Sequence, residues 1–152
     1  MKKQKTKIKK GDVVRQGQSW LYSKIVKDHF FHPRNVLLDE KSFQFDAKGT
    51  SGNPACGDIM TIWLKIDFKT RKIKDCKWRT YGCASAIAAT SMLSVMLTEK
   101  GGATLKKAAN LKPQQIVKKL GGLPAIKFHC TVLGLSALKA AIDDYYKKQS
   151  SK

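Results

Sequence analysis

The sequence predicts an α+β domain in which a small antiparallel β-sheet is covered by helices. Three observations lead there. Met60, Ile62, Leu64, Ile66 and Phe68 alternate with Thr61, Trp63, Lys65 and Asp67, the period-two signature of a strand with one buried face. Residues 83–97 form an alanine-rich apolar run with the composition of a buried helix. The strand-like segments are grouped before the helical ones, which argues against alternating βαβ units. A chain of 152 residues holds one core of useful size, so residues 19–152 read as a single domain.

The first ten residues, MKKQKTKIKK, carry six lysines and almost nothing to bury; residues 1–18 therefore read as a basic disordered tail. Ser19 is the expected cap of a first helix through Trp20, Leu21, Ile25, Val26 and His29, stopped by His32-Pro33. His29 and His32 read as helix-end residues. Phe43 and Phe45 suggest a short strand, and residues 49–54 an irregular loop ending on Cys56-Gly57-Asp58. The strand from Met60 turns at residues 69–72 into a second, Ile73 to Tyr81, giving an antiparallel hairpin that Gly82 ends. After the buried helix come short helices at 105–109 and 113–120, the latter with proline in its first turn and Gly121-Gly122 behind it. Pro124 opens an extended link. A final amphipathic helix is expected from Cys130 to Lys147.

Thirty Lys and Arg against eleven Asp and Glu give a net charge of +19, which attracts polyanions and acidic partners without naming one. No aromatic interleaving and no groove-reading motif accompany that charge, so nucleic-acid binding is not the expected function. The run at 84–97 is interrupted by Ser85, Thr90, Ser91 and Ser94, too short and polar for a membrane span, and no apolar run follows the basic start as in a secretory signal. The expected location is the cytoplasm, with reduced thiols.

Of the four cysteines, Cys56, Cys83 and Cys130 stand where the chain changes direction: before a strand, and at two helix starts. Backbone N–H groups at a helix start stabilise a thiolate, which binds metal or attacks sulfur. Asp58 adds a carboxylate and His129 an imidazole. With no C-x-x-C, spacing alone leaves buried hydrophobes and a metal site equally open. Cys76, in mid-strand, reads as a packing or surface residue.

The stretches YSKIVKDHFFHPRNV from Tyr22, GNPACGDIM from Gly52, RTYGCASAIAATSM from Arg79 and LPAIKFHCTVLGLSALKAAIDDY from Leu123 resemble the IscU/NifU-type iron-sulfur scaffold family, in order, over residues 20–147. His129, and the absence of an insertion before Cys130, fit the IscU-like branch better than the zinc-dependent SufU branch. The resemblance implies the corresponding scaffold fold, a cluster held by Cys56, Cys83 and Cys130, Asp58 and His129 as alternative ligands, and Cys130 as acceptor of persulfide sulfur. It implies [2Fe–2S] in the first place and [4Fe–4S] as an alternative, with zinc or iron bound when no cluster is present. The implied partners are a cysteine desulfurase, a DnaK-type chaperone with its J-protein, ferredoxin, a frataxin-like protein, apo iron-sulfur proteins and a second copy of the chain. Leu123-Pro124-Ala125-Ile126-Lys127 departs from the Leu-Pro-Pro-Val-Lys usual in the chaperone-recognition stretch. A zinc-binding structural or sulfur-relay module is the competing reading of the same residues.

Overall fold

The computed structural model describes residues 22–152 except Pro54 and Cys56, with the backbone alone at Asn53. The expected basic tail, Ser19, Trp20 and Leu21 at the start of the expected first helix, and the expected ligand Cys56 lie outside the described residues. Three strands, β1 (Ala47–Asn53), β2 (Asp58–Ile66) and β3 (Ile73–Tyr81), form an antiparallel sheet in the order β1-β2-β3. The α-helices are α1 (Lys24–Phe31), α2 (Ala84–Thr98), α3 (Leu105–Ala109), α4 (Pro113–Lys119) and α5 (His129–Ser150).

The alternation in β2 sorts its side chains by face. Met60, Ile62, Leu64 and Ile66 are buried beneath the helices, and in β3 Trp78 lies opposite Ile62 and Cys76 opposite Leu64 on that same face. A register shift at Lys65/Ile66 brings Ile73 back to the core. Trp63, assigned by its period to the solvent face, is nevertheless buried, because Lys48 and Arg79 lie over its ring at 5.3 and 5.6 Å. β2 ends at Ile66, so Asp67 and Phe68 belong to the turn, where the Asp67 carboxylate accepts from the Lys69 and Thr70 N–H groups.

Three expected elements are corrected. The cap of α1 is Ser23, which has extended backbone and accepts from Val26 N at 3.1 Å; the Ser19 cap would require helix through Ser23. Phe43 and Phe45 form no strand: Phe43 caps a 3₁₀ turn at Glu40–Ser42, whereas residues 49–53 of the expected loop at 49–54 belong to β1 (Ala47–Asn53). Its Ala-Lys-Gly-Thr-Ser-Gly-Asn composition hides the strand because the inward side of Gly49 meets α5 directly; a Cβ there would overlap the Ala137 carbonyl oxygen and the Ala141 nitrogen. The link after Pro124 is a 3₁₀ turn, Ala125–Lys127, that runs into α5 one residue earlier than expected.

α2 is buried nearly all round, lying between α1, α5 and the sheet. Two of its buried hydroxyls are satisfied within the helix: Thr90 donates to Ala86 O and Ser94 to Ser91 O. His29 is buried against α2 with Nδ1 2.7 Å from Ser91 Oγ; Ser91 Oγ also accepts from Arg34 N, and burial holds the imidazole pKa below its ordinary value. His32 is the C-cap of α1, as expected. By length and composition the helical stretch Ala125–Ser150 could cross a bilayer, which the sequence reading did not anticipate. Here it is a core helix: Leu133, Ala137, Leu138, Ala141 and Tyr145 are buried, and Asp144 accepts from Lys48 N of β1 at 3.0 Å.

Candidate metal and sulfur site

Tight packing of α5 across β1 brings the first turn of α5 to the same sheet end as the β3–α2 turn. Asp58 is the first residue of β2, Cys83 the N-cap of α2, and His129 and Cys130 the first two residues of α5. Ligand atoms of Asp58, His129 and Cys130 all lie within 4.8 Å of one another. Cys83 Sγ is 3.8 Å from Cys130 Sγ, and Cys130 Sγ is 3.6 Å from His129 Nε2. Four of the five expected site residues are thus brought together, and Cys56, the fifth, is outside the described residues. Cys76 is elsewhere, buried in β3, with its thiol pushed up to about 12 by burial and then by Asp75.

Each local geometry has a cause in the chain. The Asp58 carboxylate lies against Gly82, where a Cβ would come 3.1 Å from Asp58 Cγ and 2.9 Å from the Ala86 methyl. Glycine is therefore needed at 82 for β3 to turn into α2 over that aspartate. Asp58 is buried, and its Oδ2 has no hydrogen-bond partner among the described residues. A strand-start aspartate serving only its local backbone would not leave a buried carboxylate oxygen orphaned. His129 Nδ1 is 2.9 Å from Ile126 O. A carbonyl only accepts, so the proton of the neutral ring is on Nδ1, which leaves the Nε2 lone pair as the one that can bind a metal.

The two thiols shift one another in opposite directions. The Cys83 pKa is held well below the usual thiol range, first by a hydrogen bond from the Cys130 thiol, then by Ser85, the Ala86 N–H and the charge of Lys127. Cys130 is shifted up by that same bond, by burial and by the negative charges of Cys83 and Asp58, so it keeps the proton the pair shares. In metal-free protein near neutral pH, iodoacetamide is expected to modify Cys83 ahead of Cys130 and Cys76. Peptide mapping reads the order, and earlier modification of Cys130 would overturn this assignment.

The donor set fits a thiophilic metal. A tetrahedral ion with metal–sulfur bonds of about 2.3 Å holds two sulfurs roughly 3.8 Å apart, which is the Cys83–Cys130 spacing. Two sulfurs, one imidazole nitrogen and one carboxylate oxygen match such a shell in number and kind of donor, with Cys83 reaching the Asp58–His129–Cys130 group through Cys130. The family model for the NifU-like N terminal domain matches residues 21–152. The chain belongs to this family.

Among relatives of this NifU-like chain, the iron-sulfur cluster assembly scaffold protein IscU of Aquifex aeolicus is 44% identical over 131 residues, covering 86% of this chain and 80% of the relative. The protein of the same name from Haemophilus influenzae is 42% identical over 128 residues, covering 84% and 98%. The crystal structure of a nitrogen-fixing NifU-like protein (N-terminal) from Brucella abortus superimposes with a TM-score of 0.60 at 20% identity, covering 83% of this chain and 94% of that one. It shares the fold: a NifU-like sheet of three antiparallel strands under helices. Spacing in the sequence did not reveal Gly82 or Ser85 as parts of the site; their adjacency to Cys83 in Gly-Cys-Ala-Ser was the available signal.

Proposed function

We propose that this chain is a scaffold for iron-sulfur cluster assembly, binding ferrous iron and sulfide as cargo and passing the finished cluster to apo-proteins rather than turning over as an enzyme. The observation that carries the reading is the meeting of Cys83, Cys130, His129 and the orphaned Asp58 oxygen at one sheet end, in a chain whose relatives bear the scaffold name. Cys56, two residues before Asp58, completes the set. The cargo is [2Fe–2S], with [4Fe–4S] the alternative, and zinc occupies Asp58, Cys83, His129 and Cys130 when no cluster is present, acting there as a structural ion.

In this reading Cys130 accepts sulfur from the persulfide of a cysteine desulfurase. His129 Nε2 takes the Cys130 proton, the Cys130 sulfur attacks the outer sulfur of the donor persulfide, and the donor S–S bond breaks to leave the donor thiolate while a new S–S bond forms on Cys130. Cys130 is fully buried, so the site must open locally for the donor to reach it. Ile126 in the turn at Ala125–Lys127 is 78% exposed, which suits recognition by a DnaK-type chaperone and its J-protein. Ferredoxin as electron source, a frataxin-like protein and a second copy of the chain complete the proposed partners, in a reducing compartment such as the cytoplasm.

The test is anaerobic reconstitution with ferrous iron, cysteine and a desulfurase. The expected result is a brown protein with sulfide-to-iron absorption and the Mössbauer signature of a [2Fe–2S] cluster; a colourless protein that keeps zinc and refuses the cluster would favour the structural zinc module. In the same experiment Asp58→Ala is expected to lengthen the lifetime of the cluster in air. A carboxylate is a harder, more exchangeable ligand than thiolate, and when unbound its buried charge opposes an anionic cluster. Faster decay in the variant would show that Asp58 holds the metal.

A further inference from the structure

Two hydroxyls that the cluster chemistry does not use lead in series to Cys83. Ser85, in the first turn of α2, is fully buried, and its Oγ lies 3.3 Å from Cys83 Sγ. On its other side Tyr22, which precedes α1, places its hydroxyl 3.1 Å from Ser85 Oγ. The three atoms form one chain from the segment before α1 to the sulfur.

Proton supply decides how that chain runs. A cysteine sulfur bound to metal has no proton and only accepts, so the single Ser85 proton is directed to Cys83. Ser85 then has only lone pairs for Tyr22, and the tyrosine hydroxyl must donate to it. A donor that is itself a hydrogen-bond acceptor is polarised and binds its own acceptor more strongly. The arrangement is directional: Tyr22 to Ser85 to the Cys83 sulfur.

We propose that Ser85, oriented by Tyr22, is a positioning residue that donates a hydrogen bond to the Cys83 sulfur when that sulfur ligates metal, drawing charge from it and holding it at its spacing from Cys130. Hydrogen bonds to ligating sulfur tune a metal centre by lowering the donor energy of the thiolate, which raises the energy of its charge-transfer band and makes reduction of a bound cluster easier. The alternative is that Ser85 is a buried helix residue whose hydroxyl merely satisfies Tyr22. The two differ in what a metal reports.

The inference rests on Cys83 being a ligand, and the full chain loaded with cobalt(II) tests each separately. Cys83→Ser comes first: an undiminished thiolate-to-cobalt band in that variant would mean that Cys83 is no ligand, and the site reading itself would fall. Given a weakened band, Ser85→Ala is expected to move the wild-type charge-transfer band to lower energy and, in reconstituted protein, to lower the reduction potential of the cluster. Tyr22→Phe, which keeps the serine, is expected to give a smaller shift of the same sign and guards against loss of folding in Ser85→Ala. Ser94→Ala is the control: a buried hydroxyl of the same helix, bonded to Ser91 O and Asn35, whose loss lowers stability and leaves band and potential in place. A band and potential unchanged in Tyr22→Phe and in any folded Ser85→Ala protein would overturn the proposal while leaving Cys83 a ligand, as would shifts equal to those of Ser94→Ala.

Discussion

Replacing Cys83 or Cys130 by serine is expected to remove most of the visible absorbance of the reconstituted protein, whereas Cys76→Ser retains it. The first two sulfurs sit 3.8 Å apart beside Asp58 and His129, and a serine hydroxyl is a much poorer ligand for iron than a thiolate. The Cys76 sulfur is packed within the core opposite Leu64. Its replacement places a hydroxyl among apolar neighbours, a cost of about 1–3 kcal/mol if it finds no partner. The variants should therefore separate into two kinds: Cys76→Ser melts earlier and still carries cluster, while Cys83→Ser folds and does not. Cluster per chain after desalting, read with a thermal melt of the apo-protein, distinguishes them. Equal loss of cluster in Cys76→Ser would sink the site assignment. Cys56→Ser is expected to behave as Cys83→Ser does, on the reading that Cys56 completes the ligand set.

Gly49→Val is expected to be strongly destabilising although it is remote from the site. A side chain at 49 would point into the α5 backbone at Ala137 and Ala141, and backbone cannot rotate aside as a long side chain can. α5 must lift from β1 or the strand must bend, at a cost of about 3 kcal/mol, which for a chain of this size lowers the melting temperature by on the order of 10 °C. The displaced helix also carries His129 and Cys130, so cluster retention falls with stability. Gly52→Ala on the same strand is the internal comparison. Its Cβ would meet nothing closer than 3.8 Å, and it should melt within a degree or two of wild type. Similar losses in both variants would mean that strand propensity, rather than the close approach of α5, is responsible.

β2, β3, α2, α3 and α4 were legible because their signals are local. The alternation from Met60, the turn at residues 69–72, the alanine-rich run and the proline of Pro113 each report on a few neighbouring residues. β1 was not, because its identity depends on a partner: Gly49 and Gly52 weaken any strand signal, and only pairing with β2 and the pressure of α5 explain them. The cap at Ser23 was missed for a related reason. Ser19 and Ser23 look alike in sequence, and the Ser23 hydroxyl is also engaged by the distant Leu120 carbonyl.

The candidate ligands divide in the same way. Their identities, Cys83, Asp58 and the His129-Cys130 pair, were readable from turn-adjacent positions and from the family motifs. The sequence by itself thus determined which chemical groups the chain can offer and the order of most elements. The tertiary structure alone decided how those groups act on one another: that two sulfurs stand a tetrahedral edge apart, that the Cys83 and Cys130 thiols shift one another in opposite directions, that Gly82 makes room for Asp58, and that Tyr22 reaches Ser85. The physical reason is range. Backbone preference and hydrophobic period act over a few residues, whereas proton sharing, desolvation and close approach depend on distances of 3–4 Å between residues such as Cys83 and Cys130 that lie far apart along the chain.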